Sequence, residues 1–187
     1  MWMRCQERLC PSPNYRSDDR EMYTELYWIQ GPWPGRLAIS ARPRGGDWLE
    51  DELKRWRTAG LDVVVSLLTP DEEEALNLQG EEQFCRDSGL DFRSFPIVDR
   101  GVPSPEVKGL PLIEQLDHDL TQGKNIVIHC RQGIGRSGMI AAGILVARGI
   151  KAEVAMQRVG EARGVEVPET IGQRTWVVGV PNMLISK

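Results

Sequence analysis

The segment HCRQGIGRSG, residues 129–138, holds a thiol, two basic side chains and three glycines in ten positions, and it fits two incompatible chemistries. Counted from Gly133 it is G-x-G-x-x-G through Gly135 and Gly138, the turn that lays a dinucleotide pyrophosphate on a helix N-terminus. Counted from Cys130 it is a cysteine, five residues, then Arg136 and Ser137, which is a nucleophile at the base of a phosphate-sized cradle.

The dinucleotide reading would use Glu153 as the acid that grips a ribose. That acid must close a second strand, yet KAEVAMQRVGEAR spaces Ala152, Ala155, Met156 and Val159 as one face of a helix, and too little chain follows to complete such a fold. The cysteine reading gives every residue a task. A thiol at a helix N-terminus is favoured as its thiolate by the dipole and by unpaired N–H groups. Gly133 and Gly135 let the loop Arg131, Gln132, Gly133, Ile134, Gly135 curl so that amide hydrogens converge on phosphate oxygens.

Arg136 closes that ring with a planar fork able to hold two oxygens of a flattening phosphoryl group. Ser137 can hydrogen-bond the sulfur and ease its departure. Arg131 adds a cation at the mouth, and His129 is expected to orient the nucleophile through hydrogen bonds rather than to act as a base. The leaving group also needs a proton, best supplied from a separate loop. Asp99, in a segment hinged by Pro96, Gly101 and Pro103, is the candidate acid.

These residues need a scaffold. RLAIS (36–40) reads as a first strand, followed by a helix opened by Asp47 with Glu50 in a capping box and buried through Leu49, Leu53 and Trp56. LDVVVSLL (61–68) has the β-branched run of an interior parallel strand, and Thr69, Pro70 and Glu72 cap the next helix. DFRSFPI (91–97) alternates as a strand. Ser104 with Pro105 opens a further helix, which Pro111 delays or kinks. KNIVIH (124–129) is the strand that delivers Cys130, and RSGMIAAGILVARG is a small-residue apolar helix ended by Gly149. Helices over 151–163 and from Pro168 onward complete an α/β fold: a central, mostly parallel twisted sheet flanked by helices, with the phosphate-binding loop between a central strand and helix.

The chain of 187 residues suits one domain, read as 25–187, preceded by a loosely ordered lead-in over 1–24. A net charge of −4 argues against broad attraction to nucleic acid or to anionic membranes, and neither a membrane-length apolar run nor a secretory leader is present, so a cytoplasmic protein is expected. Cys5, Cys10, Cys85 and Cys130 are too scattered for a disulfide framework, and with His118 and His129 they make no zinc pattern; no metal or other cofactor is expected. Cys85 has a bland reading as a packed thiol and a sharper one as a redox partner that traps oxidised Cys130.

VIHCRQGIGRSG with the upstream PIVDRGVPS resembles the cysteine-based protein tyrosine phosphatase superfamily, most closely its compact dual-specificity-like branch. The resemblance implies a phosphocysteine intermediate on Cys130, phosphate held by residues 131–136, and acid-then-base duty for Asp99. VPETIGQRTWV is similar to the family segment that supplies a glutamine to orient the hydrolytic water, which implies that role for Gln173. The implied partner is a phosphorylated protein or peptide. A phosphoinositide or RNA 5′-phosphate substrate, a catalytically silent phosphopeptide-binding module and rhodanese-like sulfur transfer are the alternatives.

Overall fold

The computed structural model describes residues 23–104 and 109–185. Five strands, β1 (Tyr27–Ile29), β2 (Leu37–Ala41), β3 (Val63–Ser66), β4 (Asp91–Ser94) and β5 (Ile126–Cys130), form one sheet in the order β1-β2-β5-β3-β4. β2, β5, β3 and β4 run parallel, and β1 pairs antiparallel with β2 at one edge. β5 is central and buried along its whole length. In this register Ala41 lies opposite Cys130 and Ser66 opposite His129, so the loops leaving four parallel strands emerge at one edge of the sheet. Ligands of open parallel sheets bind at that edge.

Side chains alternate across the strands and divide the interior in two. Ile39, Val65, Ile128 and Cys130 face a core shared with α4 (Gly109–Thr121), α5 (Gly135–Ala147), α6 (Ala152–Arg163) and α7 (Ile171–Ile185). Ala38, Val64 and Val127 face a smaller core with α1 (Leu49–Thr58) and α3 (Glu81–Asp87), which buries Leu53, Trp56 and Cys85. α5 is buried from Gly135 to Val146, packed among β5, α4, α6 and α7. Its small residues, Ala141, Ala142 and Gly143, permit that enclosure on all sides. Trp56 anchors the smaller core at 1 % exposure, and Trp56→Ala is expected to cost about 3–5 kcal/mol.

The sheet, its parallel character and the order of helices agree with the expected architecture, with local corrections. The three-residue β1 carries no pattern long enough to read. The Asp47–Glu50 capping box does not form: Gly46, at φ +63, begins a 3-10 turn over Gly46–Trp48, which moves the helix N-cap to Trp48, without a side-chain cap bond. Thr69 does cap α2 (Pro70–Ala75), its Oγ1 accepting from Glu72 N–H while Glu72 accepts from Thr69 N–H. β4 ends at Ser94, although Phe95 and Ile97 N–H still donate to the Ser66 and Leu67 carbonyls beyond it. Pro111 sits in the first described turn of α4; the proposed opening at Ser104 and Pro105 runs into residues 105–108, outside the described residues. The lead-in expected over 1–24 lies outside the described residues up to residue 22, and at its end Thr24 N–H donates to Glu52 at 2.6 Å.

Candidate active site

Cys130 ends β5 and α5 begins at Gly135, so residues 131–134 form a four-residue arch at the N-terminus of a well-buried helix. Gly133 adopts φ +67, and a Cβ there would meet the Ser40 carbonyl carbon at 2.4 Å; only glycine fits where the arch crosses the end of β2. Among the described residues, the N–H groups of residues 131–134 donate to no protein acceptor. Cys130 is 3 % exposed, with its Sγ 3.4 Å from Ser137 Oγ.

Arg136, on the first turn of α5, is almost fully enclosed. Its Nη1 donates to Glu72 Oε2 at 2.6 Å and to the Ile97 carbonyl at 2.9 Å, and its Nη2 donates to Glu72 Oε1 and Asp99 Oδ1, each at 2.9 Å. Burial alone would work against the charged guanidinium; the bond to Glu72 and the nearby Cys130 and Asp99 outweigh it and push its pKa up. Asp99 keeps 58 % of its side chain exposed, so it reaches from its loop to the arginine while facing solvent. A cavity of about 200 Å³ is lined by Cys130, Arg136, Asp99, Gln173, the loop residues Arg131 and Gln132, and the pair Arg100–Glu169.

A profile described as a polymorphic toxin system DSP-PTPase phosphatase matches residues 40–150. The chain belongs to that phosphatase family. It is 28 % identical over 158 residues to the zebrafish (Danio rerio) protein tyrosine phosphatase domain-containing protein 1, covering 77 % of this chain and 21 % of the relative. It is 27 % identical over 124 residues to a protein of Invertebrate iridescent virus 6 named as a tyrosine phosphatase, 197R, covering 64 % of this chain and 44 % of that one. The chain thus spans less than half the length of either curated relative. Among solved structures, kinase associated phosphatase superposes with a TM-score of 0.78 at 19 % identity, over 88 % of this chain and 97 % of that one. Tk-PTP in its active form superposes at 0.68 with 26 % identity, over 84 % and 96 %. A membrane-spanning helix is absent among the described residues.

In this DSP-PTPase, Gln173 is fully buried and both ends of its amide are engaged. Its Oε1 accepts from Thr170 N–H at 3.2 Å, its N–H donates to Thr170 Oγ1 at 3.2 Å, and its Nε2 donates to the Gly101 carbonyl at 3.0 Å. Thr170 and Gln173 therefore form a second capping box, opening α7, and the glutamine ties that helix to the Asp99 loop. The Arg100–Glu169 ion pair and the Thr170 hydroxyl on the Arg100 carbonyl make two more ties between the same segments.

His129 departs from expectation. Neighbouring strand residues point to opposite faces, so its ring lies on the Trp56 side of the sheet while Cys130 faces the cavity. Its Nε2 is 2.8 Å from Glu81 Oε1, but the two are misaligned, and both ring nitrogens lack a hydrogen-bond partner among the described residues. It can influence the thiol only through the backbone. Cys85 lies on that same far side, in the other core, where burial and then the Glu81 charge push its thiol far up. A Cys85–Cys130 disulfide would have to cross the sheet, and this geometry opposes the trapping role.

Glu72 is the site residue that sequence reasoning missed. It was read only as a cap, yet one carboxylate holds the Thr69 N–H and both Nη atoms of Arg136. Burial would raise its pKa, but the bonds from Arg136 and from Thr69 hold it below the usual carboxylate range. The T-P-x-E signal was visible; its second partner lies in a segment far along the chain.

Proposed function

We propose that the chain hydrolyses phosphomonoesters of proteins, phosphotyrosine and, in the dual-specificity manner, phosphoserine or phosphothreonine, through a phosphocysteine on Cys130. The observation that carries this reading is one cavity in which Cys130, Arg136, Asp99 and Gln173, drawn from a strand end, two helix starts and a loop, meet beside an arch of amides unpartnered among the described residues. Family membership supports it.

The first step forms a sulfur–phosphorus bond and breaks the phosphorus–oxygen bond to the substrate. The Cys130 thiolate attacks in line, Arg136 and the amides of 131–136 hold the equatorial oxygens, and Asp99 gives its proton to the departing oxygen. The incoming dianion displaces Asp99 from Arg136, which frees its carboxyl to face the leaving oxygen. In the second step water attacks phosphorus, Asp99 takes the proton, and the sulfur leaves with a hydrogen bond from Ser137. Gln173 lines the cavity; its first task is to hold the Asp99 loop, and orientation of the hydrolytic water falls to whatever donor capacity remains on its Nε2.

The test is vanadate-sensitive phosphate release from phosphotyrosyl and phosphoseryl peptides, a phosphoinositide and a 5′-phosphorylated RNA, with Cys130→Ser as control. Release from the peptides by the unsubstituted chain alone supports the reading. Tight phosphopeptide binding without release makes the chain a binding module, and preference for lipid or RNA reassigns the substrate on the same chemistry.

A further inference from the structure

A phosphate cradle needs its amide hydrogens turned inward, and the same peptide planes must then send their carbonyls outward to some donor. Two of those carbonyls meet one side chain. Arg163 Nε donates to the Gly133 carbonyl at 3.0 Å, and its Nη2 donates to the Gln132 carbonyl at 3.2 Å. The N–H and C=O of a trans peptide point in opposite directions within one rigid plane. The Gln132 carbonyl shares its plane with the Gly133 N–H, and the Gly133 carbonyl shares its plane with the Ile134 N–H. Holding the two oxygens therefore aims the two hydrogens, both of which lack a protein acceptor among the described residues.

The donor is itself fixed. Arg163 is the last residue of α6, and Gly164, left-handed at φ 79 with its N–H on the Gly160 carbonyl, ends the helix immediately after it. The guanidinium lies over the Tyr27 ring of β1, 4.2 Å from its centroid. It approaches the arch from behind and is not among the residues lining the cavity. The planar fork matters here, because two adjacent carbonyls need two donors at a set separation.

We propose that Arg163 is the positioning residue of the phosphate loop: it orients the Gly133 and Ile134 amides toward the bound oxyanion without touching it. This rests on the reading of residues 131–136 as a phosphate cradle. The experiment uses the full chain with Arg163→Met, Arg163→Lys and, to loosen the stack beneath the guanidinium, Tyr27→Leu. Two readouts do not depend on turnover: inorganic phosphate affinity by calorimetry, and the pH dependence of Cys130 alkylation followed by peptide mapping.

Arg163→Met is expected to weaken phosphate binding about tenfold, the effect of misdirecting one or two charge-assisted hydrogen bonds. It also slows alkylation of Cys130 near neutral pH, as anion-stabilising amides turn away from the sulfur. Arg163→Lys, with one point donor, falls between, and Tyr27→Leu shifts both readouts slightly in the same direction. A folded Arg163→Met with unchanged phosphate affinity and unchanged alkylation profile overturns the proposal; should that variant not fold, the same null result for Arg163→Lys does so. Failure of the parent reading looks different: the unsubstituted chain itself binds no inorganic phosphate.

Discussion

Cys130 and Cys85 are both buried thiols against the same sheet, one on each face, and their surroundings could hardly differ more. Cys130 ends a strand where a helix begins, with a hydroxyl at 3.4 Å and an arginine on the next turn. Cys85 is wrapped by apolar side chains, and burial and then the Glu81 charge push its thiol pKa up. Burial is common to both, so burial alone does not set a thiol's surroundings apart. What separates them is whether the enclosing groups are donors and cations or hydrocarbon and carboxylate.

The largest expected effect breaks that contrast directly. Cys130→Ser should lower phosphate release by about 10⁴-fold or more, the scale on which removal of a nucleophile acts, whereas Cys85→Ala should leave kcat within about twofold and lower only the melting temperature. Asp99→Asn should cut kcat by about 10²–10⁴-fold for alkyl phosphates and far less for p-nitrophenyl phosphate, whose leaving group needs no proton; equal losses would remove Asp99 from the acid role. Glu72→Gln breaks the charged, two-point hold on Arg136 while keeping its volume, and about a tenfold rise in KM with a smaller change in kcat is expected in steady-state kinetics.

A weaker effect appears in pH titration of stability. Glu72 ionises below its unfolded value near 4.3, so its contribution is complete above that pH and is lost as the pH falls through the folded value. Asp119, where burial is outweighed by Lys124 and Arg93, behaves the same way. The melting temperature should therefore be flat down to about pH 5 and decline below about pH 4, less steeply in Glu72→Gln. The smallest effect is a null. Peptide mapping after peroxide treatment should yield no Cys85–Cys130 linked peptide, because the thiols lie on opposite faces; recovery of one would show that the sheet opens.

The sequence made the nucleophile and its arginine legible because their chemistry is local: strand, arch and first helical turn follow one another in the chain. The Thr69 cap was legible for the same reason. Glu72 as a ligand of Arg136, and Arg163 behind the arch, were not, since each acts across the fold on a partner that no spacing rule connects to it. The face of His129 could have been read, because the two-residue period of a strand already sends it away from Cys130. The Thr170–Gln173 box is equally present in the sequence as T-x-x-Q. β1 left no signal, its three residues being recruited by pairing with β2.

The contact between Asp99 and Arg136 carries one more consequence. With two carboxylates on one guanidinium, the trio of Arg136, Glu72 and Asp99 carries a net charge of −1 at rest, so an anion can take up the arginine only by displacing the exposed Asp99. A doubly charged tetrahedral ion gains both the arginine and the amide arch.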